Sequence, residues 1–251
     1  MTLREYLHFL SNTDSIEELW PAHCEQMAGY GFDRLFYGCS RFHTKTSFGD
    51  PEDFTILTNQ SKEYVDGFLH SGLFSHAPML HWAMENEGAA SWRMISQMMA
   101  SQTLTPDQRR VYDFNQKMNV TVGYTICFKL AAARARAVIS LCAKEGITQD
   151  QADAIWAQHG ADIHLMNNIA HMRILSLPYD PPNRGLTKRQ REALGWVGDG
   201  KTTQDIALLM GLTKATVEKH LRLARESLSV ETTAQAVLKA AMHNQMFVVE
   251  A

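Results

Sequence analysis

The sequence predicts an α+β protein of two domains, an N-terminal α/β/α sandwich built on an antiparallel sheet and a C-terminal four-helix domain with a helix-turn-helix. Three observations lead to this fold class. Apolar residues recur at helical spacing through most of the chain. Short segments rich in β-branched and aromatic residues interrupt the helices only in the N-terminal part. A proline-rich stretch then separates two regions of different charge.

The domain boundaries follow from this linker, 176–185, which holds three prolines and a glycine and cannot continue a helix on either side. We therefore expect an N-terminal domain over 1–175 and a C-terminal domain over 186–251. With 251 residues and 45% hydrophobic composition, the chain is long enough for two cores. The net charge of −3 divides unevenly, because 186–251 carries nine basic and seven acidic residues while the remainder is acidic.

Six helices are predicted in the N-terminal region from their apolar stripes and start signals. The break at 12–14 supplies an N-cap, and Pro78 marks a helix start. Thr105-Pro106-Asp107 is typical of a helix opening, because a cap, a first-turn proline and an acid follow one another. The predicted helices cover 2–10, 15–28, 61–69, 79–87, 105–117 and 149–175.

Four β segments are predicted between these helices, at 34–42, 53–58, 121–130 and 137–142. The last two are rich in Val, Ile, Thr, Tyr and Phe, and 131–136 joins them as a hairpin loop. The long helix after them has an apolar stripe broad enough to pack on a sheet and on a partner helix. This order of elements favours the sandwich.

The C-terminal domain is predicted as four short helices, of which 203–210 and 214–228 form the helix-turn-helix pair. Gly211 follows the first helix of the pair where a C-cap favours a left-handed residue. Thr213 then stands as N-cap of the second helix. Both turn residues therefore support the division into two helices.

The second helix of the pair has one apolar and one cationic face. Its apolar positions recur at three- and four-residue intervals, and its basic positions project away from them. The apolar residues are Val217, Leu221, Ala224 and Leu228, and the basic residues are Lys214, Lys219, Arg222 and Arg225. A buried stripe backed by a cationic face suits a helix docked in the DNA major groove. Charge alone is equally compatible with a solvated face on a structural helix.

The C-terminal segment resembles the DNA-binding domain of LuxR-type transcriptional regulators over its whole length. The residues that carry the resemblance are Leu186-Thr187, Arg189, Glu192, Leu194, Gly200-Lys201-Thr202, Ile206-Ala207, Leu212, Thr216-Val217, His220, Leu228 and Ala236. It implies dimeric binding to a palindromic double-stranded DNA operator, with the third helix of the domain in the major groove. By position it implies base-edge contacts for Lys219 and Arg222. Phosphate contacts are implied for Lys201, Thr202, Thr213, Lys214, Thr216, His220 and Arg225.

Aromatic residues in the N-terminal domain predict an apolar cavity between the sheet and the helices, with few convergent charges. The candidates for its lining are Tyr64, Phe68, Phe74, Trp82, Trp92, Tyr112, Tyr124 and Phe128. The alternative is that aromatic residues at helix and strand spacing form an ordinary core.

The stretch 64–123 resembles the ligand domain of LuxR-type quorum-sensing receptors, which bind N-acyl homoserine lactones. Pro78, Trp92 and Gly123 carry this resemblance. It implies that Trp92 packs on the lactone ring of a bound ligand. The chain is therefore expected to bind a small hydrophobic signal molecule.

Three polar positions of the family pattern differ in this chain. Tyr64 stands where the family has a Trp that donates to the lactone carbonyl, and Phe68 replaces a Tyr that donates to the acyl-amide carbonyl. Ala77 replaces an Asp that accepts from the ligand amide N–H. Neighbouring His76 is a candidate substitute acceptor, and Ser140 is the best surviving polar contact.

These differences bear on the class of ligand. An unpaired ligand N–H costs about 1–3 kcal/mol, which a long acyl chain offsets at ~0.8 kcal/mol per buried methylene. The expected ligand is a long-chain N-acyl homoserine lactone, with an aromatic or fatty-acid-type molecule as the alternative. The predicted ligand-binding residues are Tyr64, Phe68, His76, Ala77, Trp82, Trp92, Tyr112, Phe128 and Ser140.

Other functional classes fit the sequence less well. It has no nucleophile-elbow glycine pattern, metal-ligand spacing or phosphate loop, so we expect neither an enzyme nor a metal or cofactor site. Four cysteines without C-x-x-C spacing, and no apolar leader, predict a reduced cytoplasmic protein with no membrane partner. The expected function is a homodimeric DNA-binding regulator controlled by a hydrophobic signal. The alternative is a regulator of the same type that binds a non-lactone ligand, or none, and acts as a constitutive or titrating dimer.

Overall fold

The computed structural model describes residues 1–44, 48–128, 135–181 and 184–246. The chain forms two compact units, Met1–Ile174 and Leu175–Ala251. Within the described ranges, no helix is long and apolar enough to cross a lipid bilayer. The same ranges contain no group of three His, Cys, Asp or Glu side chains that could hold a metal ion.

The first unit is built on an antiparallel sheet, which in the described residues has five strands in the order β2-β1-β5-β4-β3. The strands are β1 (Phe32–Ser40), β2 (Thr55–Thr58), β3 (Gly88–Ser91), β4 (Gly123–Phe128) and β5 (Arg136–Ala143). β1 and β5 pair along most of their length at the centre of the sheet. The predicted antiparallel sheet is confirmed. Most of the predicted hairpin loop, 129–134, lies outside the described residues.

Two features of this sheet differ from the prediction. The prediction missed β3, because its sequence Gly-Ala-Ala-Ser contains no β-branched or aromatic residue and therefore gives no propensity signal. This strand forms through its pairing with β4, in which Gly88 lies opposite Cys127 and Ser91 opposite Tyr124. In addition, β5 begins at Arg136, which was predicted to belong to the hairpin loop.

Seven helices begin in the described part of the first unit. They are α1 (Leu3–Asn12), α2 (Ile16–Gly29), α3 (Lys62–Val65), α4 (Pro78–Glu85), α5 (Arg93–Ala100), α6 (Pro106–Lys117) and α7 (Gln149–Ser176). The predicted helix 61–69 is divided, since a π-helical turn at Asp66–His70 follows α3. The prediction missed α5. It also placed the cap of α2 at 12–14, whereas the Ser15 side chain accepts from the backbone N–H of Glu18.

Helices cover both faces of the sheet, because successive strand residues point to opposite sides. On one side, Tyr37 Oη lies 2.9 Å from His171 Nδ1 of α7, and Phe128 stacks on the same imidazole with ring centroids 4.2 Å apart. On the other side, the Cys127 thiol donates to the Ala83 carbonyl of α4. This arrangement confirms the predicted α/β/α sandwich.

A buried chain of hydrogen bonds joins α1, α2 and α7. Tyr6 donates to His23 Nδ1 at 2.5 Å, and His23 Nε2 donates to Asn167 Oδ1 at 3.1 Å. Asn167 keeps this orientation because its Nδ2 donates to the Ile163 carbonyl at 2.8 Å. With Nδ1 as an acceptor, this series of hydrogen bonds requires a neutral His23 imidazole. Burial lowers the pKa of His23 to about 4, although the hydrogen bond to Asn167 acts in the opposite direction.

The second unit confirms the predicted four-helix domain. Its helices are α8 (Lys188–Gly198), α9 (Thr203–Met210), α10 (Lys214–Ser227) and α11 (Thr233–Met242). Each helix begins after a threonine whose side chain accepts a backbone N–H from the first turn, and these caps are Thr187, Thr202, Thr213 and Thr232. Gly211 has φ +64° and ends α9 in the left-handed conformation that its sequence position predicts.

The core of this unit lies between the four helices, and two basic side chains close one end of α10. Arg184 Nη1 and Lys239 Nζ each donate to the Leu228 carbonyl at 2.9 Å, where the helix dipole favours positive charge. The buried core residues include Leu228, which directly follows α10. Those within the helices are Ala193, Leu194, Ile206, Ala207, Met210, Val217, Leu221, Ala224, Ala236 and Ala240. This packing fixes which face of α10 remains exposed.

We expect the first unit to lose stability as the pH falls from about 6.5 toward 4. Burial lowers the pKa of His23 to about 4, and burial together with the charge of Arg41 does the same for His171. Because the unfolded chain titrates near the ordinary value of 6.5, it binds these protons first in that window. Each histidine should lower the unfolding free energy by about 1.4 kcal/mol per pH unit. Urea denaturation of the full-length chain at several pH values measures this slope.

The substitution His171→Phe separates this effect from general acid lability. Phenylalanine keeps a ring against Phe128 but binds no proton, so the slope should fall by about half. The exposed His8→Phe is the matched control and should leave the slope unchanged. An unaltered slope in His171→Phe would contradict the assignment of His171 as a neutral buried group.

Candidate functional site

A cavity of about 150 Å³ lies in the first unit, between the sheet and the segment that contains α3 to α6. Its floor is the sheet face opposite α7, where Phe36 and Gly38 of β1 lie beside Ser140 and Val138 of β5. Thr125 of β4 extends this floor, since it is paired with Ser140. Apolar and aromatic side chains form most of the lining, which suits a small hydrophobic ligand.

Four aromatic rings pack together at one wall of the cavity. Tyr64 stacks on Phe68 with ring centroids 5.2 Å apart, and its ring lies 5.5 Å from that of Phe114. Phe36 meets Phe68 edge-on at 5.8 Å. Gly67 permits this packing, because a Cβ atom there would lie 2.5 Å from the Phe114 ring. The wall is therefore a packed aromatic cluster.

Three polar groups of the cavity have distinct hydrogen-bonding states. Tyr64 Oη donates to Asn115 Oδ1 at 3.3 Å, and burial raises the pKa of Tyr64, so the phenol remains a donor. Trp92 Nε1 donates to Thr125 Oγ1 at 2.9 Å. The Ser140 hydroxyl has no partner within the described residues, which leaves it able to donate to or accept from a ligand.

Six of the nine predicted ligand-binding residues line this cavity. They come from helices, turns and strands that the sheet brings together, and they are Tyr64, Phe68, Ala77, Trp92, Tyr112 and Ser140. At Ala77 the wall therefore carries a methyl group and no hydrogen-bonding side chain.

The other three predicted residues lie outside the cavity lining. Phe128 is on the opposite face of the sheet, where it stacks on His171, because strand residues alternate in direction. Trp82 packs against the aromatic cluster without lining the cavity. The His76 ring faces the Asp107 carboxylate, with Nδ1 and Oδ2 3.8 Å apart, so it does not replace the missing acceptor in the cavity.

The cavity lining also includes polar residues that were not predicted, among them Gln60, Asn115 and Arg136. Arg136 had a usable signal, because it precedes Val138 and Ser140 at intervals of two and therefore shares their face of a strand. Its placement in a predicted loop hid this periodicity. Gln60 and Asn115 lie on a turn and a helix, where no comparable pattern exists.

The backbone of Gly123 positions Trp92. The Trp92 amide donates to the Gly123 carbonyl at 3.0 Å, and the Gly123 amide donates to Gln149 Oε1 of α7 at 3.1 Å. A Cβ atom on Gly123 would lie 2.1 Å from the Leu141 carbonyl oxygen of β5, closer than two such atoms can approach. Only glycine therefore allows the strands and Trp92 to meet in this geometry.

A carboxylate on α7 holds the same region from the other side. Asp153 Oδ1 accepts from Ser91 at 2.7 Å and from Tyr124 at 2.8 Å, and Oδ2 accepts from Arg93 Nε at 2.7 Å. Partial burial raises the pKa of Asp153, but its hydrogen bonds outweigh this and lower the pKa below its usual range. The ionised carboxylate ties β3, β4 and the start of α5 to α7, next to Trp92.

The exposed face of α10 carries the predicted DNA-binding side chains. Val217 and Leu221 are buried, whereas Lys219 and Arg222 are exposed. Arg222 Nη1 pairs with Glu226 Oε1 at 2.5 Å, one turn further along the helix. An exposed ion pair of this kind is weak and can exchange for a phosphate or a base edge.

The remaining predicted DNA-binding residues lie around the first turns of α9 and α10 or further along α10. Thr202 and Thr213 use their hydroxyls as helix caps, while Arg225 Nη1 donates to Thr233 Oγ1 of α11 at 2.9 Å. Helix N-termini with exposed N–H groups attract phosphate. The exposed members are Lys201, Thr202, Thr213 and Lys214, and the half-buried members are Thr216, His220 and Arg225.

Comparison with known protein families places both units. A profile described as the autoinducer binding domain matches residues 15–174, which is more than half of the chain. A second profile, described as bacterial regulatory proteins of the luxR family, matches residues 184–240. The chain belongs to the LuxR family of autoinducer-binding transcriptional regulators. This confirms the family predicted from the sequence, whose members are regulators and not enzymes.

Individual relatives are distant. The chain is similar to the transcriptional activator LuxR of Aliivibrio fischeri, with 21% identity over 190 residues, or 75% of this chain and 73% of LuxR. It is also similar to the activator AhyR of Aeromonas hydrophila, with 26% identity over 245 residues, or 94% and 89% of the two chains. Both comparisons extend across the two units.

Solved structures of related proteins share this fold. Escherichia coli SdiA aligns with a TM-score of 0.54 at 17% identity and covers 98% of each chain. CepR2 of Burkholderia cenocepacia, described as an N-acylhomoserine-lactone-dependent LuxR family transcription factor, aligns with a TM-score of 0.53 at 15% identity over 69% of this chain and 94% of CepR2. At such identities the likeness concerns the fold alone.

The substitution Gly123→Ala should destabilise the first unit by about 1–3 kcal/mol or more, because the added methyl group meets the Leu141 carbonyl. Urea denaturation of the full-length protein measures the loss. Gly29→Ala is the matched control, since a Cβ atom there has no neighbour within 4 Å, and it should be neutral. Equal urea midpoints for the two variants would show that the contact between β4 and β5 can move to accept the methyl group without loss of stability.

Proposed function

We propose that this LuxR-family regulator binds a long-chain N-acyl homoserine lactone in the cavity of its first unit and a palindromic operator through its second unit, as a homodimer. The observation that carries the ligand proposal is the apolar cavity, which Trp92 and Tyr64 line together with a floor of β-sheet that includes Ser140. Trp92 would pack on the lactone ring, while Tyr64 and Ser140 would supply the polar contacts. Phe68, Ala77 and Tyr112 would add apolar surface along the chain.

Ala77 supports a second candidate ligand. Without a carboxylate at this position, the amide N–H of a lactone ligand loses an acceptor, at a cost of about 1–3 kcal/mol. A ligand that has no amide avoids this cost. A solved structure of SdiA contains octanoyl-rac-glycerol, a ligand without an amide. It aligns with this chain with a TM-score of 0.51 at 18% identity. The alternative for this chain is therefore a non-lactone lipid, or a dimer that acts without any ligand.

The exposed side of α7 supports the homodimer. Leu165 and Met172, one heptad apart, are 42% and 64% exposed on this helix. Ala154, Gln158 and Ala161 continue the same side at three- and four-residue spacing, and all are exposed. A row of apolar and small residues at this spacing suits packing against the same helix of a second copy. A dimer also matches the two half-sites of a palindromic operator.

The proposed DNA contacts follow the exposure of α10. Lys219 and Arg222 point away from the core and would contact base edges in the major groove. The caps and cations at the start of α9 and α10 would hold the phosphate backbone, together with His220 and Arg225 further along α10. These phosphate-binding candidates are Lys201, Thr202, Thr213, Lys214, Thr216, His220 and Arg225.

We infer that the protein works in the cytoplasm with its thiols reduced. Cys24, Cys39, Cys127 and Cys142 are all free and buried. Burial raises the pKa of each thiol, which keeps the thiolate form, and therefore reactivity, low. These cysteines fit a structural role as small apolar side chains.

The full-length protein mixed with N-acyl homoserine lactones of graded chain length should gain the mass of one ligand per chain in native mass spectrometry. Affinity and melting temperature should rise with chain length, because each buried methylene adds ~0.8 kcal/mol. The same spectra report whether the species is a dimer. Ser140→Ala should weaken binding by roughly 2- to 13-fold, as for one lost hydrogen bond, while the exposed control Ser101→Ala should not. A stable dimer that binds no lactone would favour the alternative.

Arg222→Ala should weaken binding to the operator by about 1–3 kcal/mol and relax the preference for one base pair. Lys214→Ala, as a proposed phosphate contact, should instead weaken operator and scrambled DNA alike and reduce the salt dependence. Fluorescence anisotropy with both DNA sequences at several salt concentrations separates the two effects. If Arg222→Ala discriminates between the sequences as the parent does, α10 is not the reading helix.

A further inference from the structure

The cavity contains an unbalanced positive charge. Among the described residues that line it, Arg136 is the one permanently charged side chain, and no aspartate or glutamate accompanies it. The same lining includes the aromatic residues Phe48, Phe54 and Phe74. A cation at an apolar, half-buried site is unfavourable unless a counter-charge or several acceptors satisfy it.

The contacts of Arg136 leave most of its donors available. Its Nη1 donates to the Ala135 carbonyl at 3.0 Å, and it forms no ion pair with a carboxylate in the part of the chain that the structure describes. The nearby imidazole of His43 does not compensate the charge. Burial lowers the pKa of His43 and the positive charge of Arg136 lowers it further, and an imidazole carries no negative charge in either protonation state.

The strand fixes where this charge lies relative to the rest of the cavity. Arg136, Val138 and Ser140 are two residues apart along β5, so they lie on the same face of the strand, which forms the cavity floor. Arg136 is paired with Ser40 at one end of the β1–β5 pairing, and Ser140 is paired with Phe36 near its middle. Four residues of strand separate the Cα atoms of Arg136 and Ser140 by roughly 13 Å. An apolar chain can lie between them across Val138.

We propose that the cavity selects a ligand whose apolar chain ends in a carboxylate, and that this carboxylate binds Arg136. The proposal rests on the proposed function, in which the cavity is the signal site, and it specifies the chemistry at one end of the ligand. A planar guanidinium with several unused donors matches a carboxylate in two-point geometry. The opposite end of the chain lies toward Tyr64, Trp92 and Ser140. No acidic side chain lines the cavity among the described residues, so none of them repels the anion.

The experiment compares dodecanoate with methyl dodecanoate, which has the same chain but no charge, by titration calorimetry on the full-length protein near pH 8. The parent should bind the carboxylate tighter by about tenfold or more, as expected for a charge-assisted pair at a half-buried site. Arg136→Leu should abolish this preference while it retains binding of the ester. Arg136→Lys, which keeps the charge but not the fork, should retain part of it. Arg4→Leu makes the same change at an exposed position and should bind as the parent does.

The outcomes separate this proposal from the proposed function, because dodecanoyl homoserine lactone is titrated in parallel. Equal binding of acid and ester by the parent, or a preference that Arg136→Leu leaves intact, overturns the role of Arg136 even if the lactone binds. Failure of the lactone, with a carboxylate preference that depends on Arg136, supports the role and replaces the lactone as ligand. If Arg136→Leu does not fold, Arg136→Gln provides the uncharged variant, and its melting curve verifies the fold.

Discussion

The first unit depends on the register of one strand pair, β1 with β5. Tyr37 lies opposite Ile139 on the face that packs against α7, and Phe36 lies opposite Ser140 on the face that forms the cavity floor. Because side chains alternate strictly along a strand, a slip of one residue would exchange the two faces. Burial of the core side therefore also fixes which residues meet a ligand. The same strand register that packs the core against α7 therefore also places the residues of the cavity floor.

The helix-turn-helix could be predicted from local rules alone. Its information lies within a few residues, since Gly211 accepts the left-handed conformation and Thr213 caps the next helix through its own hydroxyl. The buried stripe of α10, with Val217 and Leu221, follows from a period of 3.6 residues that needs no knowledge of its partners. Interactions between residues close in the chain can be predicted from the sequence. Once the buried face of α10 is known, its exposed face is the remaining one.

The cavity could be predicted only in part, because its composition is a tertiary property. Aromatic content indicated a cavity but not which face of the sheet would hold it, so Phe128, which stacks on His171, was included among the predicted lining residues. β3 has no sequence signal since it forms only by pairing with β4. Arg136 was missed because a strand boundary was misplaced, although the alternation with Val138 and Ser140 was present in the sequence. In each case the deciding contact joins residues that are far apart in the chain.

The volume of the cavity explains how a ligand could control such a regulator. Cavity volume destabilises a core by about 24 cal/mol per Å³, so filling about 150 Å³ would be worth roughly 3–4 kcal/mol to the first unit. This is a large share of the 5–15 kcal/mol that typically separates folded from unfolded domains. A ligand present at about a hundredfold over its Kd contributes a similar amount by mass action, ~2.7 kcal/mol. The Gly123 carbonyl and the Asp153 cluster position Trp92 and the adjacent cavity wall through hydrogen bonds. A ligand that fills this volume would therefore stabilise the first unit in proportion to the apolar surface it buries.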